Sequence, residues 1–276
     1  MDILTDDSMT APTHTGLVVM LKAPANAKRR LAAQVGDLAE EAAAHLLACA
    51  LEDALAWPEP TWLSPADLGD RDWLLSEIGA ETTSAPTTFP RLATSSDPND
   101  VTAAHRGTIC GLILQQGVNL GERINHVDGE LRRRGRGVNK LVFVGTDCPS
   151  LDSAYLRQAA LELQQADAVL GPAGDGGVVL MGARCPWPDL SGLSWSTQDL
   201  FTELRVICLD AGWSVATLVA HKDVDTLQDL LGTDAALSGD RRRSRRDFTE
   251  WLSAHRGALL AQHPDGAAEA RREAVS

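Results

Sequence analysis

Short apolar runs alternate with longer helical patterns along this chain, and that alternation constrains the fold more than any other feature. Residues 16–21 (GLVVML) and 141–145 (LVFVG) are rich in β-branched residues and bounded by turn-prone sequence, which is typical of buried strands. Helical patterns follow them at 31–56 and 153–165. Strands that alternate with helices predict an α/β fold, a mostly parallel, Rossmann-like sheet with helices on both faces.

Further elements follow from the same periodicities. The patterns predict helices at 72–78, 121–134, 197–211 and 226–231, strands at 168–170, 177–181 and 213–219, and a last helix around 248–260. Residues 1–14 are interpreted as a disordered leader. Residues 80–107 are rich in Thr, Ser, Pro and Asp and predict a loop insertion, because such a composition buries little apolar surface. We therefore expect one large domain at 15–231 and a charged helical tail at 232–276.

Composition narrows the class of partner. The 276 residues carry a formal net charge of −13, which argues against a nucleic-acid binder. The five cysteines include no CxxC pair, so we expect reduced thiols. No apolar run is long enough to span a bilayer and the acidic N-terminus does not resemble a signal peptide, so we expect a cytoplasmic protein, of unknown oligomeric state. The arginines between 241 and 246 are interpreted as a solvated face.

A basic segment follows the first predicted strand. Four cations, Lys22, Lys28, Arg29 and Arg30, lie within nine residues, between a strand and the start of a helix. Open α/β sheets bind ligands at the carboxyl ends of their strands. The segment therefore predicts an anion-binding loop, in which helix N-terminal amides and cationic side chains face phosphate oxygens. A solvated basic turn is the alternative.

Aspartates follow two other predicted strands. Asp147 comes directly after the strand at 141–145, where it suits Mg²⁺, an ion that proteins hold with one or two carboxylates plus substrate phosphates. Asp223 and Asp225 lie two positions apart in an extended segment, so both could face one site. A helix cap is the alternative role for Asp147 and for Asp225.

A glycine-rich turn at 171–177 separates two predicted strands and exposes Asp175. Glycines allow positive φ and close approach of the backbone to a ligand. A hairpin turn that Asp175 merely serves is the alternative. Taken together and in this order, the basic loop, the two acidic strand ends and this turn predict one site for a phosphate group and a metal.

Six ordered motifs resemble a family of uncharacterised bacterial glycosyltransferase-like proteins. They are Gln116-Gly117, the LGER of 120–123, the GTDCPSL of 145–151, Gly171-Pro172 with the DGG of 175–177, the WST of 195–197, and the DVDT of 223–226 with Asp229-Leu230. The resemblance covers about residues 16–231, excluding roughly 57–107. It implies the GT-A fold of the nucleotide-diphospho-sugar transferases, with a catalytic domain at 15–231.

The resemblance also implies roles for individual residues. Asp147 and Asp225 would be the metal carboxylates, holding Mg²⁺ or Mn²⁺. Asp175 would lie on the acceptor or sugar side, where it could orient or deprotonate an acceptor hydroxyl. The remaining implied contacts are phosphate binding by Lys22, Lys28 and Arg30, and a substrate pocket formed by Gly176, Gly177, Trp195, Ser196 and Thr197.

Two departures from the family pattern keep the reaction open. The first loop is two residues shorter than usual, lacks glycine and has Arg29 where Thr is usual, so that its spacing resembles the phospholactate guanylyltransferases, nucleotidyltransferases of the same fold. Val178-Val179 replace an aromatic pair. We expect a metal-dependent glycosyltransferase with a nucleotide-sugar donor and a small-molecule acceptor. The alternatives are a nucleotidyltransferase that joins an NTP to a phosphorylated acceptor and releases pyrophosphate, and a degenerate, non-catalytic protein that binds a nucleotide or a partner.

Overall fold

The computed structural model describes residues 14–79, 109–134 and 138–262. Its strands are β1 (His14–Leu21), β2 (Thr61–Pro65), β3 (Ile109–Leu112), β4 (Val138–Val144), β5 (Ala168–Pro172), β6 (Val178–Ala183) and β7 (Val215–Thr217). Its helices are α1 (Arg29–Val35), α2 (Leu38–Ala56), α3 (Leu68–Gly79), α4 (Leu120–Arg133), α5 (Ser153–Glu162), α6 (Leu200–Asp210), α7 (Leu227–Ala236) and α8 (Arg243–Gln262). No helix in these ranges combines the length and hydropathy that crossing a membrane requires.

The strands form a single sheet in the order β3-β2-β1-β4-β6-β5-β7. β1 pairs in parallel with β2 and β4, β2 with β3, and β5 with β7, whereas β6 is antiparallel to both of its neighbours. The carboxyl ends of β1, β4 and β5 therefore meet the amino end of β6 at one edge of the sheet. We call this the site edge. The predicted mostly parallel α/β fold is confirmed.

Buried side chains pack on both faces of the sheet. Along β1, Leu17 and Val19 belong to one core cluster together with Leu47 of α2, and Val18 belongs to another together with Ile124 of α4. Successive side chains of a strand point to opposite faces, so an unbroken apolar run is what a strand covered on both sides requires. Helices cover both faces, as the sequence pattern predicted.

The prediction of a single helix at 31–56 is wrong. The chain forms α1 and α2, which are separated at Gly36, where φ is 56° and the amide donates to Ala32 O. Glycine adopts this left-handed conformation without the steric cost that other residues incur, so it ends the first helix. The Ala- and Leu-rich pattern continues across the break, and for that reason periodicity alone did not reveal it.

Two strands, β2 and β3, were not predicted at all. β2 is buried at every position and only five residues long, so it shows no alternation of apolar and polar residues. β2 lies next to β1 in the sheet, and β3 is the outermost strand on that side. The predicted leader at 1–14 is wrong at its last residue, because His14 begins β1. Its other residues, 1–13, and the predicted insertion at 80–107 lie outside the described residues.

The C-terminal segment packs onto the domain. α7 runs across the predicted boundary at 231–232, and Phe248 and Leu252 of α8 belong to the same core cluster as Leu46 of α2. The described part of the predicted tail therefore shares a core with the domain. Its helix is confirmed, and it begins five residues earlier than 248.

Two arginines of this segment are structural. Arg245 is fully buried and donates to Cys49 O at 2.6 Å, to Pro149 O at 3.0 Å, to Leu151 O at 3.1 Å and to the Asp53 carboxylate. Arg242 donates to Asp53 Oδ1 at 2.6 Å and to Leu151 O at 2.8 Å. The interpretation of the arginines as a solvated face is wrong for these two, because buried carbonyls and a carboxylate surround them, while Arg241, Arg243 and Arg246 are exposed.

We predict that Arg245→Met destabilises the protein by about 3–5 kcal/mol, because Asp53 would keep a buried charge with one partner fewer and the carbonyls of Pro149 and Leu151 would lose a donor. Urea unfolding measures the change. Arg243→Met is the matched control: its side chain is 66% exposed, so its effect should stay within about 0.5 kcal/mol. Equal, small losses in both variants would contradict the structural role of Arg245.

Candidate functional site

A cavity of about 660 Å³ opens at the site edge. Ten of the predicted site residues line it: Lys22, Lys28, Arg30, Asp147, Asp175, Gly177, Trp195, Ser196, Thr197 and Asp225. Gly176 is not part of the lining. Side chains that are far apart in the chain are therefore brought to one place, as the positions of the strand ends predicted, although their individual roles remain predictions.

The basic loop after β1 is held in place by α3. Asp70, which is 1% exposed, accepts hydrogen bonds through Oδ1 from the backbone amide of Ala23 at 3.0 Å and from Asn26 Nδ2 at 2.8 Å. A carboxylate that receives two donors within one loop fixes the path of that loop. Sequence reasoning missed Asp70, because nothing near it in the chain indicates that it contacts a segment 47 positions away.

Lys28 lies between the two predicted metal carboxylates. Its Nζ is 2.9 Å from Asp147 Oδ1 and 3.2 Å from Asp225 Oδ1, and it donates to Val224 O. Arg30 Nη2 lies 2.6 Å from the other carboxylate oxygen of Asp225, Oδ2. Asp147 and Asp225 are thus on the same side of the sheet, and a lysine ammonium is the cation that they share.

Three carboxylates form a cluster beside this ion pair. Ligand oxygens of Asp175, Asp223 and Asp225 all lie within 4.8 Å of one another. Burial, and then repulsion from Asp175 and Asp225, raise the pKa of Asp223 to about 6. Asp223 and Asp225 both line the cavity. This confirms the prediction, made from their spacing of two positions, that both could face one site. No role was predicted for Asp223.

The donor set fits a hard divalent cation. Mg²⁺ and Mn²⁺ prefer carboxylate oxygens, and four carboxylates, those of Asp147, Asp175, Asp223 and Asp225, line this cavity. The Lys28 ammonium serves as a stand-in cation at this place and shows that the arrangement favours positive charge.

The glycine-rich turn packs closely against the WST segment. Gly176 has φ 91°, and a Cβ there would come within 2.1 Å of Gln198 O, so this position requires glycine. Asp175 Oδ1 accepts from Gly177 N at 2.9 Å. The carboxylate of Asp175 therefore stabilises the turn that contains it, which was the alternative interpretation. It also belongs to the acidic cluster.

Trp195 and Ser196 also line the cavity. Trp195 donates from Nε1 to Leu190 O at 3.0 Å and packs against the core cluster under the cavity. Ser196 has φ 67°, an uncommon conformation for a residue other than glycine. Backbone conformations of this kind cost free energy and concentrate at ligand sites.

Apolar side chains line another part of the cavity. They come from β1, β4, β6, α4 and α6 and include Met20, Ile124, Phe143, Val178, Met181 and Leu200. The cavity thus combines charged groups from the strand ends with an apolar wall, a composition typical of sites that enclose a small molecule and orient it through a few polar groups.

Part of the chain matches a family of known proteins. Residues 80–197 match the family described as an uncharacterised protein conserved in bacteria (DUF2064). The match confirms, over that part of the chain, the resemblance to an uncharacterised bacterial family that the motifs indicated. A comparison with curated proteins finds no match.

The fold is similar to that of solved structures. A provisionally named nucleotide-diphospho-sugar transferase from Desulfovibrio desulfuricans G20 is 23% identical with a TM-score of 0.71, over 91% of this chain and 99% of that chain. A cytidylyltransferase from Leptospira borgpetersenii is 12% identical with a TM-score of 0.46, over 90% and 97% of the two chains. A 4-diphosphocytidyl-2C-methyl-D-erythritol synthase from Anaerococcus prevotii is 10% identical with a TM-score of 0.45, over 82% and 99%. The first of these structures confirms the predicted nucleotide-diphospho-sugar transferase type of fold.

We predict that Asp223→Asn stabilises the metal-free protein at pH 8 by about 0.5–2 kcal/mol, because it removes a charge that burial and then repulsion from Asp175 and Asp225 disfavour. The gain should shrink as the pH falls below 6, where wild-type Asp223 takes up a proton in the folded state and loses its repulsion. Urea unfolding in the presence of a chelator measures both effects.

Asp210→Asn is the control for that variant, since Asp210 is exposed at the end of α6. Its effect should stay within about 0.5 kcal/mol. A loss of stability in Asp223→Asn at pH 8 would mean that the carboxylate is stabilised by its neighbours rather than repelled by them.

Proposed function

We propose that the protein is a metal-dependent glycosyltransferase that uses a nucleotide-sugar donor and a small-molecule acceptor. The observation that carries the proposal is the placement of carboxylates from three chain segments opposite a cationic loop, in one cavity at the carboxyl ends of parallel strands. Ligands of open α/β sheets bind at such an edge. The nucleotide-diphospho-sugar transferase type of fold supports the choice of donor.

Each part of the site has a role in this reaction. Lys22, Lys28 and Arg30 bind oxygens of the donor diphosphate. Asp147 and Asp225 hold Mg²⁺ or Mn²⁺, which when bound supplies Lewis-acid stabilisation of negative charge on the diphosphate. The apolar wall excludes water, which would otherwise compete with the acceptor.

Asp175 acts on the acceptor. Its carboxylate orients the acceptor hydroxyl and takes its proton as the oxygen forms a bond to the anomeric carbon. The bond from that carbon to the diphosphate oxygen breaks, and the electron pair leaves with the nucleoside diphosphate. Gly177, Trp195, Ser196 and Thr197 form the pocket wall on this side of the proposed site, and Gly176 supports them from outside the lining.

Nucleotidyl transfer is the second candidate. Arg123 of α4 lines the same cavity as the basic loop, so cations face it from two elements. That arrangement favours a phosphorylated acceptor in addition to a phosphorylated donor. In this reaction the acceptor phosphate attacks the α-phosphorus of an NTP, and pyrophosphate leaves.

We predict that a nucleotide sugar together with Mg²⁺ or Mn²⁺ raises the melting temperature of the protein, because a ligand that binds only the folded state stabilises it by about 2.7 kcal/mol at 100 times its Kd. A screen of nucleotide sugars and NTPs by thermal shift, with and without metal, measures this. Pyrophosphate release from an NTP and a phosphorylated acceptor would favour nucleotidyl transfer. If no nucleotide of either kind raises the melting temperature, the proposed function is wrong.

Asp147→Asn separates catalysis from mere binding. We predict a loss of turnover of at least about 100-fold, the order seen when a group that stabilises developing charge is removed. Asp152→Asn is the control, because Asp152 accepts from Tyr155 N at the start of α5 and its amide counterpart is also a good N-cap. Unchanged turnover in Asp147→Asn would contradict its role as a metal ligand. Unchanged cellular function in a protein that shows no turnover would support the third hypothesis, a degenerate binding protein.

A further inference from the structure

Lys28 differs from the other cations of the basic loop. Lys22, Arg29 and Arg30 are exposed, whereas the Lys28 side chain is only 4% exposed. Its ammonium has three N–H donors and contacts three acceptors, Asp147 Oδ1, Asp225 Oδ1 and Val224 O. While these contacts last, Lys28 has no donor left for a phosphate oxygen.

The backbone holds Lys28 in this position. Its φ of 51° is in the left-handed region, which a lysine seldom adopts. Its carbonyl accepts from Ala32 N at 2.8 Å, which fixes the residue at the start of α1. A conformation that costs free energy persists only where surrounding contacts determine it, and here the contacts are those of the side chain with Asp147 and Asp225.

The electrostatics of the cavity explain what the contacts achieve. Four carboxylates, those of Asp147, Asp175, Asp223 and Asp225, line it, and three of them are mutually close. An opposite charge within hydrogen-bond distance offsets their repulsion. A divalent ion held by Asp147 and Asp225 would compete with the ammonium for the charge of these two carboxylates and would repel it.

On the basis of the proposed function, we infer that Lys28 is a tethered counter-ion for Asp147 and Asp225, with which a divalent metal competes. When the metal binds, the ammonium is released from the carboxylates, and its donors become available to the phosphates of the nucleotide. Metal and nucleotide then bind cooperatively, because each stabilises the arrangement that the other requires, and such coupling is reciprocal.

The test is Lys28→Met, which keeps an unbranched side chain and removes the charge. Without nucleotide, the affinity for Mn²⁺, measured from the electron paramagnetic resonance signal of the free ion, should rise by about 5-fold or more, within the usual range of such couplings. With Mn²⁺ at saturation, the affinity for the nucleotide found in the thermal-shift screen should fall, because the variant lacks the released ammonium. These changes have opposite signs, which a general loss of structure would not produce.

Lys22→Met is the matched control. It removes one exposed cation from the same loop and leaves Lys28 on Asp147 and Asp225, so nucleotide affinity should fall while Mn²⁺ affinity changes by less than about 2-fold. If Lys28→Met fails to fold, Lys28→Asn replaces it, because asparagine tolerates the left-handed conformation.

The outcomes separate the inference from the proposed function. Unchanged or weaker Mn²⁺ binding in the Lys28 variant overturns the inference, as does the absence of Mn²⁺ binding in both proteins. Tighter Mn²⁺ binding in the variant, with no nucleotide bound by wild type, supports the counter-ion and refutes the proposed function.

Discussion

The proposed site depends on one interaction, the ion triad of Lys28, Asp147 and Asp225. Lys28 and Asp225 are 197 positions apart, yet their charged atoms lie 3.2 Å from each other. Parallel pairing of β1 with β4 sets Val19 opposite Val144, so the loops that follow both strands leave the sheet side by side. The hydrogen bond from Val224 N to Asp147 O, at 2.8 Å, joins the third segment to them.

Support for this triad extends far into the molecule. Arg245 of α8 donates to the carbonyls of Pro149 and Leu151, shortly after Asp147 in the chain, and Arg242, just before α8, also donates to Leu151 O. Both arginines also bind Asp53 of α2. Asp70 fixes the basic loop from the opposite side. Removing one partner of a buried ion pair is costly, so the pairing of Arg245 and Arg242 with Asp53 firmly holds the loop that follows Asp147.

The sequence predicted the fold and ten of the residues that line the cavity, because both depend on local patterns. Unbroken apolar runs mark strands buried on both sides, and the residues that follow such strands lie at one edge of a parallel sheet. Asp147 and Asp225 could therefore be placed together before any coordinates. Asp70, Arg245 and the strand β2 could not, because their roles arise from contacts with distant segments. Nor could the sequence show that a lysine would lie between the two aspartates.

In the proposed function, Asp147 and Asp225 hold a divalent ion against the phosphates of a nucleotide. The most direct measurement is phosphorus-31 electron–nuclear double resonance of Mn²⁺ bound to the protein together with its nucleotide. We predict a strong hyperfine coupling to phosphorus, because an ion held by Asp147 and Asp225 would also coordinate a phosphate oxygen. A Mn²⁺ signal without phosphorus coupling, in protein saturated with both ligands, would contradict it.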